Sequence, residues 1–309
     1  MKLLSVIVPC YNEQETIEDF YEELMKTAPF FEEKEIETEV IFINDGSKDQ
    51  TRHEIKKLCK KDARVRMVSF SRNFGKEAAI YAGLEKCKGD YIVIMDVDLQ
   101  DPPSLLPEMF AGIEEGYESV ATRRVSRKGE PVIRSLFAKM FYKIMRKISK
   151  ADIVDGARDY RLMTRKFVDA VLKITEYNRF TKGIFGWVGY ETKWLAYENV
   201  ERKKGKTKWS FWKLLVYSIE GIVGFSTAPL AFASVVGIVF CILAFVFLIF
   251  IFARALLFGD PVAGWPSTIC IILLVSGVQM FCMGIMGQYL AKTYLEVKHR
   301  PIYVVDEEL

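Results

Sequence analysis

The sequence predicts an α/β domain built on an open, mostly parallel sheet with helices on both faces, followed by a C-terminal hairpin of two transmembrane helices. Three observations carry this reading. Short apolar runs alternate with stretches of helical spacing through the first hundred or so residues. The unusual polar residues fall at the ends of those runs, where open parallel sheets bind ligands. Two stretches, 229–253 and 267–291, carry no charged residue, and each is long enough to cross a hydrocarbon core of roughly 30 Å.

Composition sets the outer bounds. The chain has 309 residues, 50% hydrophobic, with 22 Phe. The apolar excess collects after residue 227, so a soluble part and a membrane part are averaged together. A net charge of +3 is too balanced to suggest nucleic acid. The six cysteines form no CxxC pair and read as free thiols in a reducing compartment. Met1 to Cys10 lacks a signal-type apolar region, so the N-terminal part is expected to stay in the cytoplasm.

The elements follow in order. Leu3 to Val8 is a strand-like run ending at Pro9, and Thr16 to Lys26 has helical spacing with Ile17, Phe20, Tyr21 and Leu24 on one face. Glu39 to Ile43 is a second strand, after which Ser47 or Asp49 can cap a helix carrying Ile55 and Leu58. Val65 to Phe70 is a third strand, Lys76 to Cys87 a helix, and Tyr91 to Met95 a fourth, buried strand. Arg123 to Arg134 is basic and loop-like. Residues 135–148 form an amphipathic, lysine-bearing helix suited to a membrane interface or to a core. Asp155 to Met163 is a second polar cluster, leading into a helix from Arg165 to Ile174. Glu201 to Lys213 is the densest basic run, directly before the first span. Lys292, Lys298 and Arg300 follow the second span, so the positive-inside rule places both termini in the cytoplasm. Gly277, Gly284 and Ala291 recur at seven-residue spacing, which suggests a close seam within the hairpin or between subunits. The run from Ile302 to Val305 reads as a short extra strand. The resulting division is a cytoplasmic α/β domain over 1–200, a basic amphipathic juxtamembrane segment over 201–226, the two helices within 227–295 and a cytoplasmic tail over 296–309.

The strand ends carry the chemistry. Tyr11, Asn12, Glu13 and Asp45 offer an aromatic ring and polar acceptors suited to a nucleobase and ribose. After the fourth strand, Asp96, Asp98 and Asp101 lie within six residues, with Gln100 among them. Such carboxylates repel one another unless a cation sits among them, and Mg²⁺ or Mn²⁺ bridging to phosphate is the natural candidate. A bare acidic turn would more often be a solvated helix cap, and Asp101, just before Pro102, fits that role. Neither GxGxxG nor GxxxxGK[ST] occurs, which removes support for dinucleotide and P-loop readings. Arg123, Arg124, Arg134, Arg202 and Lys208 are placed to meet a second anionic group, such as a lipid phosphate at the membrane interface.

The ordered set VIVPCYNEQETI, INDGSKDQT, FSRNFGKEAAIYAGL, YIVIMDVDLQDPP, DGARDYRLMTR and ERKKGKTKW before two spans resembles the polyprenyl-phosphate glycosyltransferases of glycosyltransferase family 2, which have the GT-A (Rossmann-like) fold. The resemblance includes bactoprenol glucosyltransferases and dolichyl-phosphate mannose synthases, and it covers nearly the whole chain. It implies that Pro9, Tyr11, Asn12, Glu13, Asp45, Lys76 and Asp96 bind the nucleotide sugar. It implies that Asp98 and Gln100 hold Mg²⁺ or Mn²⁺, and that Asp159 works near the reacting centre with Asp155 as a neighbour. Arg123, or the adjacent Arg124, would contact acceptor and donor phosphates together with Arg134, Arg202 and Lys208.

The implied reaction is an inverting transfer of a hexose, from UDP-glucose or a similar UDP-sugar, to a polyprenyl phosphate at the cytoplasmic membrane face. A phosphate monoester with a second pKa of about 6 is already a nucleophile at neutral pH and hardly needs a general base. The partners are then a nucleoside-diphosphate sugar, a polyprenyl phosphate, the membrane and further copies of the chain. The alternatives are GDP-mannose-dependent mannosyl transfer, a processive polysaccharide synthase and a non-catalytic assembly subunit. No Gln-x-x-Arg-Trp occurs to support the processive reading.

Overall fold

The computed structural model describes residues 1–124, 154, 156–197, 222–224, 226–258 and 264–309. The expected amphipathic helix over 135–148, Asp155, Arg134, Arg202 and Lys208 lie outside the described residues.

Among the described residues, eight strands form one sheet. Its parallel half is built from β1 (Lys2–Cys10), β2 (Ile36–Asn44), β3 (Val65–Phe70) and β4 (Tyr91–Ile94). Successive strands are joined by helical crossovers: α1 (Ile17–Met25) with α2 (Ala28–Glu32), then α3 (Thr51–Lys61), then α4 (Lys76–Lys86). Strand order reverses direction at β1, which has β2 on one side and β4 on the other. The crevice beyond the carboxyl ends of β1 and β4 is therefore the topological switch point, where such sheets place ligands.

The central runs of these strands, such as Val40–Ile43, are apolar because both faces are covered there. Leu4, Val6 and Val8 pack with Phe20, Leu24, Ile55 and Phe110 on one side. Ile7, Ile41 and Ile94 pack with Ala79, Ile80, Phe167 and Ile184 on the other. Helix α4 lies so close to β1 that a Cβ added to Gly83 would come within 2.2 Å of Ile7 Cγ2.

Three strands depart from the sequence-based expectation. β5 (Ser119–Arg124), β6 (Ala157–Thr164) and β7 (Thr192–Tyr197) extend the sheet beyond β4. β6 runs antiparallel to β4 and to β5, and β7 is parallel to β5. Arg123 and Arg124 thus belong to a strand and not to a loop. The polar cluster at 157–163 is also a strand, because Arg161 is buried within it. Its Nη1 donates to Ser119 Oγ at 2.7 Å, and its guanidinium lies 4.7 Å from the Phe185 ring centre. A short 3₁₀ turn (Pro103–Leu105) leads into α5 (Leu106–Glu114), and α6 (Arg165–Leu172) and α7 (Thr181–Trp187) follow β6.

Two long helices follow, α8 (Ala228–Phe258) and α9 (Trp265–Val297), each overrunning its charge-free stretch. Both are long and apolar enough to cross a membrane. Their large apolar side chains, Phe245 and Leu273 among them, stand more than 60% exposed, a surface that hydrocarbon would cover. Tyr289 Oη donates to the Ser226 carbonyl at 2.5 Å between the ends of the hairpin. Gly277 and Gly284 do not form the seam within the hairpin, since a Cβ at either would meet nothing within 4 Å. After α9 the chain returns to the sheet as β8 (Val305–Glu308), antiparallel to β3. The full strand order is β7-β5-β6-β4-β1-β2-β3-β8.

Candidate active site

At the switch point, sequence-distant loops are fastened to one another. Asn12 stands at φ 53°, its amide donates to Ser47 Oγ at 3.0 Å, and its side-chain oxygen accepts from the Lys48 amide at 2.8 Å. The Glu13 amide donates to Thr51 Oγ1 at 2.8 Å. Gln50 occupies the cap position of α3, and Asp49 Oδ1 accepts from the Thr51 amide at 3.0 Å, so the expected capping by Ser47 gives way to its bond with Asn12. The β1 and β2 exits, with Pro9 at the end of β1, thus form one ledge.

Asp45 continues the ledge inward. It is only 3% exposed. Its carboxylate accepts from the Phe74 amide at 2.6 Å, the Gly75 amide at 3.0 Å and Asn73 Nδ2 at 2.9 Å. Burial pushes its pKa up to about 6, against the opposing pull of the Phe74 and Gly75 amides. With both oxygens engaged, Asp45 positions the loop that leads into α4.

That loop presents Lys76, where the site converges. Lys76 Nζ lies 2.7 Å from Asp96 Oδ1 and also donates to Asp159 Oδ2. Lys182 Nζ lies 3.6 Å from the other Asp159 oxygen and donates to the Ala157 carbonyl at 3.0 Å. Desolvation pulls against the Lys76 ammonium, but Asp159 and Asp96 outweigh it and hold its pKa well above the usual range. Burial would raise the Asp159 carboxyl, but Lys182 and Lys76 outweigh that and hold it well below the usual range. The β4 exit and the β6 entry, 63 residues apart by the numbering of Asp96 and Asp159, are joined through one ammonium.

The rest of the β4 exit is held by Arg158. Asp101 is not a helix cap. It is 1% exposed, Arg158 Nε lies 3.2 Å from its Oδ1, and the Tyr197 hydroxyl donates to the same oxygen. Arg158 Nη2 donates to Gln100 Oε1 at 3.4 Å. Asp98 is 8% exposed and accepts the Gln100 amide at 3.1 Å, across Leu99 at φ 56°. Two cations of the protein, Lys76 and Arg158, therefore sit among the carboxylates that looked uncompensated in the sequence.

The donor set near Asp98 is hard oxygen throughout, which suits Mg²⁺ or Mn²⁺ and not a soft ion. Among the described residues no three acidic, His or Cys side chains converge on one point. The residues present thus fit a cation that takes a minority of its ligands from protein and the rest from phosphate and water, as Mg²⁺ commonly does.

Arg123 is exposed and pairs in register with Ala157, which puts it on the same rim as Asp159. Tyr11 is partly exposed beside the ledge. Lys182 and Arg158 are site residues that the sequence alone did not single out. Arg158 sits inside the DGARDYRLMTR element beside Asp159, so the motif pointed to it. Lys182 reaches the site only because α7 folds back beside β6, for which the sequence carries no local signal.

Comparison with known proteins places these residues in a wider set. The sequence profile described as Glycosyl transferase family 2 matches residues 5–172. A chain named as a putative glycosyltransferase, CsbB of Bacillus subtilis (strain 168), is 43% identical over 305 residues, spanning 99% of this chain and 92% of its own. Bactoprenol glucosyl transferase of Shigella phage SfV is 40% identical over 306 residues, spanning 99% and 98%. Among solved structures, glucosyl-3-phosphoglycerate synthase from Mycobacterium tuberculosis with Mn²⁺, UDP-glucose and phosphoglyceric acid superposes with a TM-score of 0.47 at 18% identity. That match covers 72% of this chain and 78% of the other.

Proposed function

The chain belongs to glycosyl transferase family 2, and from that premise we propose that it transfers a hexose from a nucleoside-diphosphate sugar to a polyprenyl phosphate at a membrane. The observation that carries the proposal is the Lys76 bridge. It gathers the β4 exit, the β6 entry and the first turn of α4 into one cleft, on a domain joined to two apolar helices. The name of the Shigella phage relative, which matches almost end to end, supports a polyprenyl phosphate acceptor. A uridine donor carrying glucose is the version we adopt. The basic flanks of the hairpin support a catalytic domain and both termini on the cytoplasmic side.

The cleft's task is charge management. An acceptor phosphate must approach a donor that already carries two phosphates, and the acceptor is nucleophilic without a base. Lys76 and Lys182 offset negative charge at the point where the phosphates would crowd, and preorganised charges of this kind act without reorganisation during reaction. Asp159, kept ionised by both lysines, is placed to steady positive charge developing at the anomeric carbon or to orient the acceptor. Asn12, Glu13 and Tyr11 line the ledge on which the nucleoside would lie, with Asp45 fixing its inner wall. Arg123 stands on the rim where the second phosphate would enter. Asp98 and Gln100 would hold a divalent cation, which when bound supplies neutralising charge to the departing nucleoside diphosphate. A single in-line displacement inverts the anomeric configuration.

The test offers the purified full-length protein UDP- and GDP-sugars with polyprenyl phosphate, in Mg²⁺ or Mn²⁺, and identifies the glycolipid formed. A monoglycosylated polyprenyl phosphate from UDP-glucose is the expected product. Mannosyl transfer from GDP-mannose would replace the donor assignment, and a polymer or no transfer at all would overturn the reading. Asp98→Ala should lose transfer by roughly 100-fold or more, the scale set by removal of a key electrostatic group, while keeping its melting temperature. Wild-type rates in that variant would remove Asp98 from the mechanism.

A further inference from the structure

A cavity of about 480 Å³ lies between the end of α9 and the domain, beside the cleft but with its own lining. It is walled by the loop from Arg72 to Gly75, by the segment 177–180 before α7, and by the α9 face carrying Gln288, Lys292 and Leu295. Among the described residues, three cationic side chains line it: Arg72, Arg179 and Lys292.

Arg179 is the informative one. It is 8% exposed, its guanidinium lies 4.4 Å from the Tyr81 ring centre, and Nη1 donates to the Ile174 carbonyl. Its Nε and Nη2 are buried with no hydrogen-bond partner among the described residues. Buried polar groups are nearly always partnered, and an orphaned guanidinium fork matches a phosphate in geometry and charge. The first turn of α4 opens onto the same cavity, so the positive end of that eleven-residue helix adds to the field. Gly75 stands there at φ 99°, with nothing within 4 Å of a Cβ built on it, although its amide already donates to Asp45 at 3.0 Å. Of the acidic neighbours, Glu176 acts on Arg179 and Lys292 through space, and two others are already engaged. Glu77 accepts from the Thr181 amide at 2.8 Å and Glu296 from the Tyr177 amide at 3.1 Å.

We propose that this cavity binds the phosphate headgroup of a membrane lipid, at a site separate from the Lys76–Asp159 cleft. The wall contributed by α9 argues for a lipid, because that helix is long and apolar enough to cross the bilayer and brings Lys292 and Leu295 to the cavity at its far end. A lipid phosphate can come from bilayer phospholipid or from the polyprenyl phosphate of the proposed reaction. The second source rests on that reaction, whereas the first does not.

The experiment uses full-length protein in detergent and native mass spectrometry without sugar nucleotide. Phosphatidylglycerol, phosphatidylcholine and a polyprenyl monophosphate are titrated separately into wild type, Arg179→Gln and Lys292→Gln. Loss of a charge-assisted contact should weaken binding about tenfold or more. A loss confined to phosphatidylglycerol identifies bilayer lipid as the occupant, and a loss confined to the polyprenyl phosphate identifies the acceptor. Unchanged affinity for both anionic lipids in the folded variants overturns the proposal. Lys292→Gln, on the surface of α9, decides the question if Arg179→Gln fails to fold. Because no donor is present, a negative result leaves the transfer reading standing, and failed transfer leaves a positive binding result standing.

Discussion

Asp45 holds its loop at an energetic cost that varies with pH. Its carboxyl moves from an ordinary 3.8 up to about 6 in the folded chain, so the native state binds a proton more tightly than the unfolded state. Stability from this group is therefore complete below about 4 and is lost as pH rises through about 6. A rise of that size corresponds to at most ~3 kcal/mol. The expected outcome is that wild type loses stability relative to Asp45→Asn between about pH 4 and 6.5, measured by denaturant midpoints at each pH. A constant gap would place the Asp45 carboxyl in the ordinary range. At this scale the sequence singled out candidate residues and was silent about how they pair. Asp96, Asp98 and Asp159 could be chosen from their motifs. That Lys76 and Arg158 supply the cations among the carboxylates could not, because those partners arrive from other strands and helices. Asp101 shows the same limit: its partners, Arg158 and Tyr197, sit on β6 and β7, far along the chain.

Among the elements, α4 is set against β1 by a missing side chain. Alanine is the better helix former by up to about 1 kcal/mol at an ordinary site. At position 83 the added methyl would meet Ile7 Cγ2 at 2.2 Å and Ile7 Cβ at 3.2 Å, inside a fully buried layer. Gly83→Ala should thus destabilise by roughly 1–3 kcal/mol, the usual scale of overpacking, and Ile7→Ala, which removes the colliding Cγ2, should cost less in the Gly83→Ala chain than in wild type. Thermal midpoints of the two variants and their combination check this, and a stabilised Gly83→Ala would show that the layer yields. The parallel half of the sheet was legible because a strand buried on both faces writes an unbroken apolar run, as Val40 to Ile43 does. β5, β6 and β7 were not, because their positions carry charge for the site or for the core. Arg161, which reads in sequence as a surface cation, lies against the Phe185 and Trp194 rings.

On the scale of the whole molecule, the chain leaves the sheet for the two apolar helices and comes back to it. β8 covers the edge of β3, with Met67 and Leu309 exchanging backbone hydrogen bonds at 2.9 Å. Arg52, Lys56 and Lys86 meet Asp306, Glu307 and Glu308 at 2.6–2.7 Å. Exposed pairs of this kind contribute at most about 1 kcal/mol each, so the main-chain ladder is the larger part of the attachment. Tyr303 adds a ring stacked on Phe70 at 4.9 Å between centres. Deleting residues 302–309 should speed hydrogen exchange at Met67 and Ser69 while leaving the β1 amides slow. Unchanged protection at Met67 would mean that the strand adds nothing to the edge. The apolar spans were plain in the sequence, since a charge-free run of that length suits little besides hydrocarbon. The return to the sheet was only half visible, because VDEE offers little apolar signal and its partner lies more than 230 residues earlier.

This late return also bears on biosynthesis. During translation β3 is made early, yet its neighbour on that side is made only after both apolar helices have emerged. Until then the nascent sheet presents a bare edge, the kind of surface that recruits stray strands. Lys56 and Lys86, later neutralised by the acidic strand, line that edge as a cationic fringe in the meantime, beside Arg66, whose other partner is Glu39 of β2. The same lysines and arginines that clasp the finished molecule would keep its unfinished copies apart by mutual repulsion.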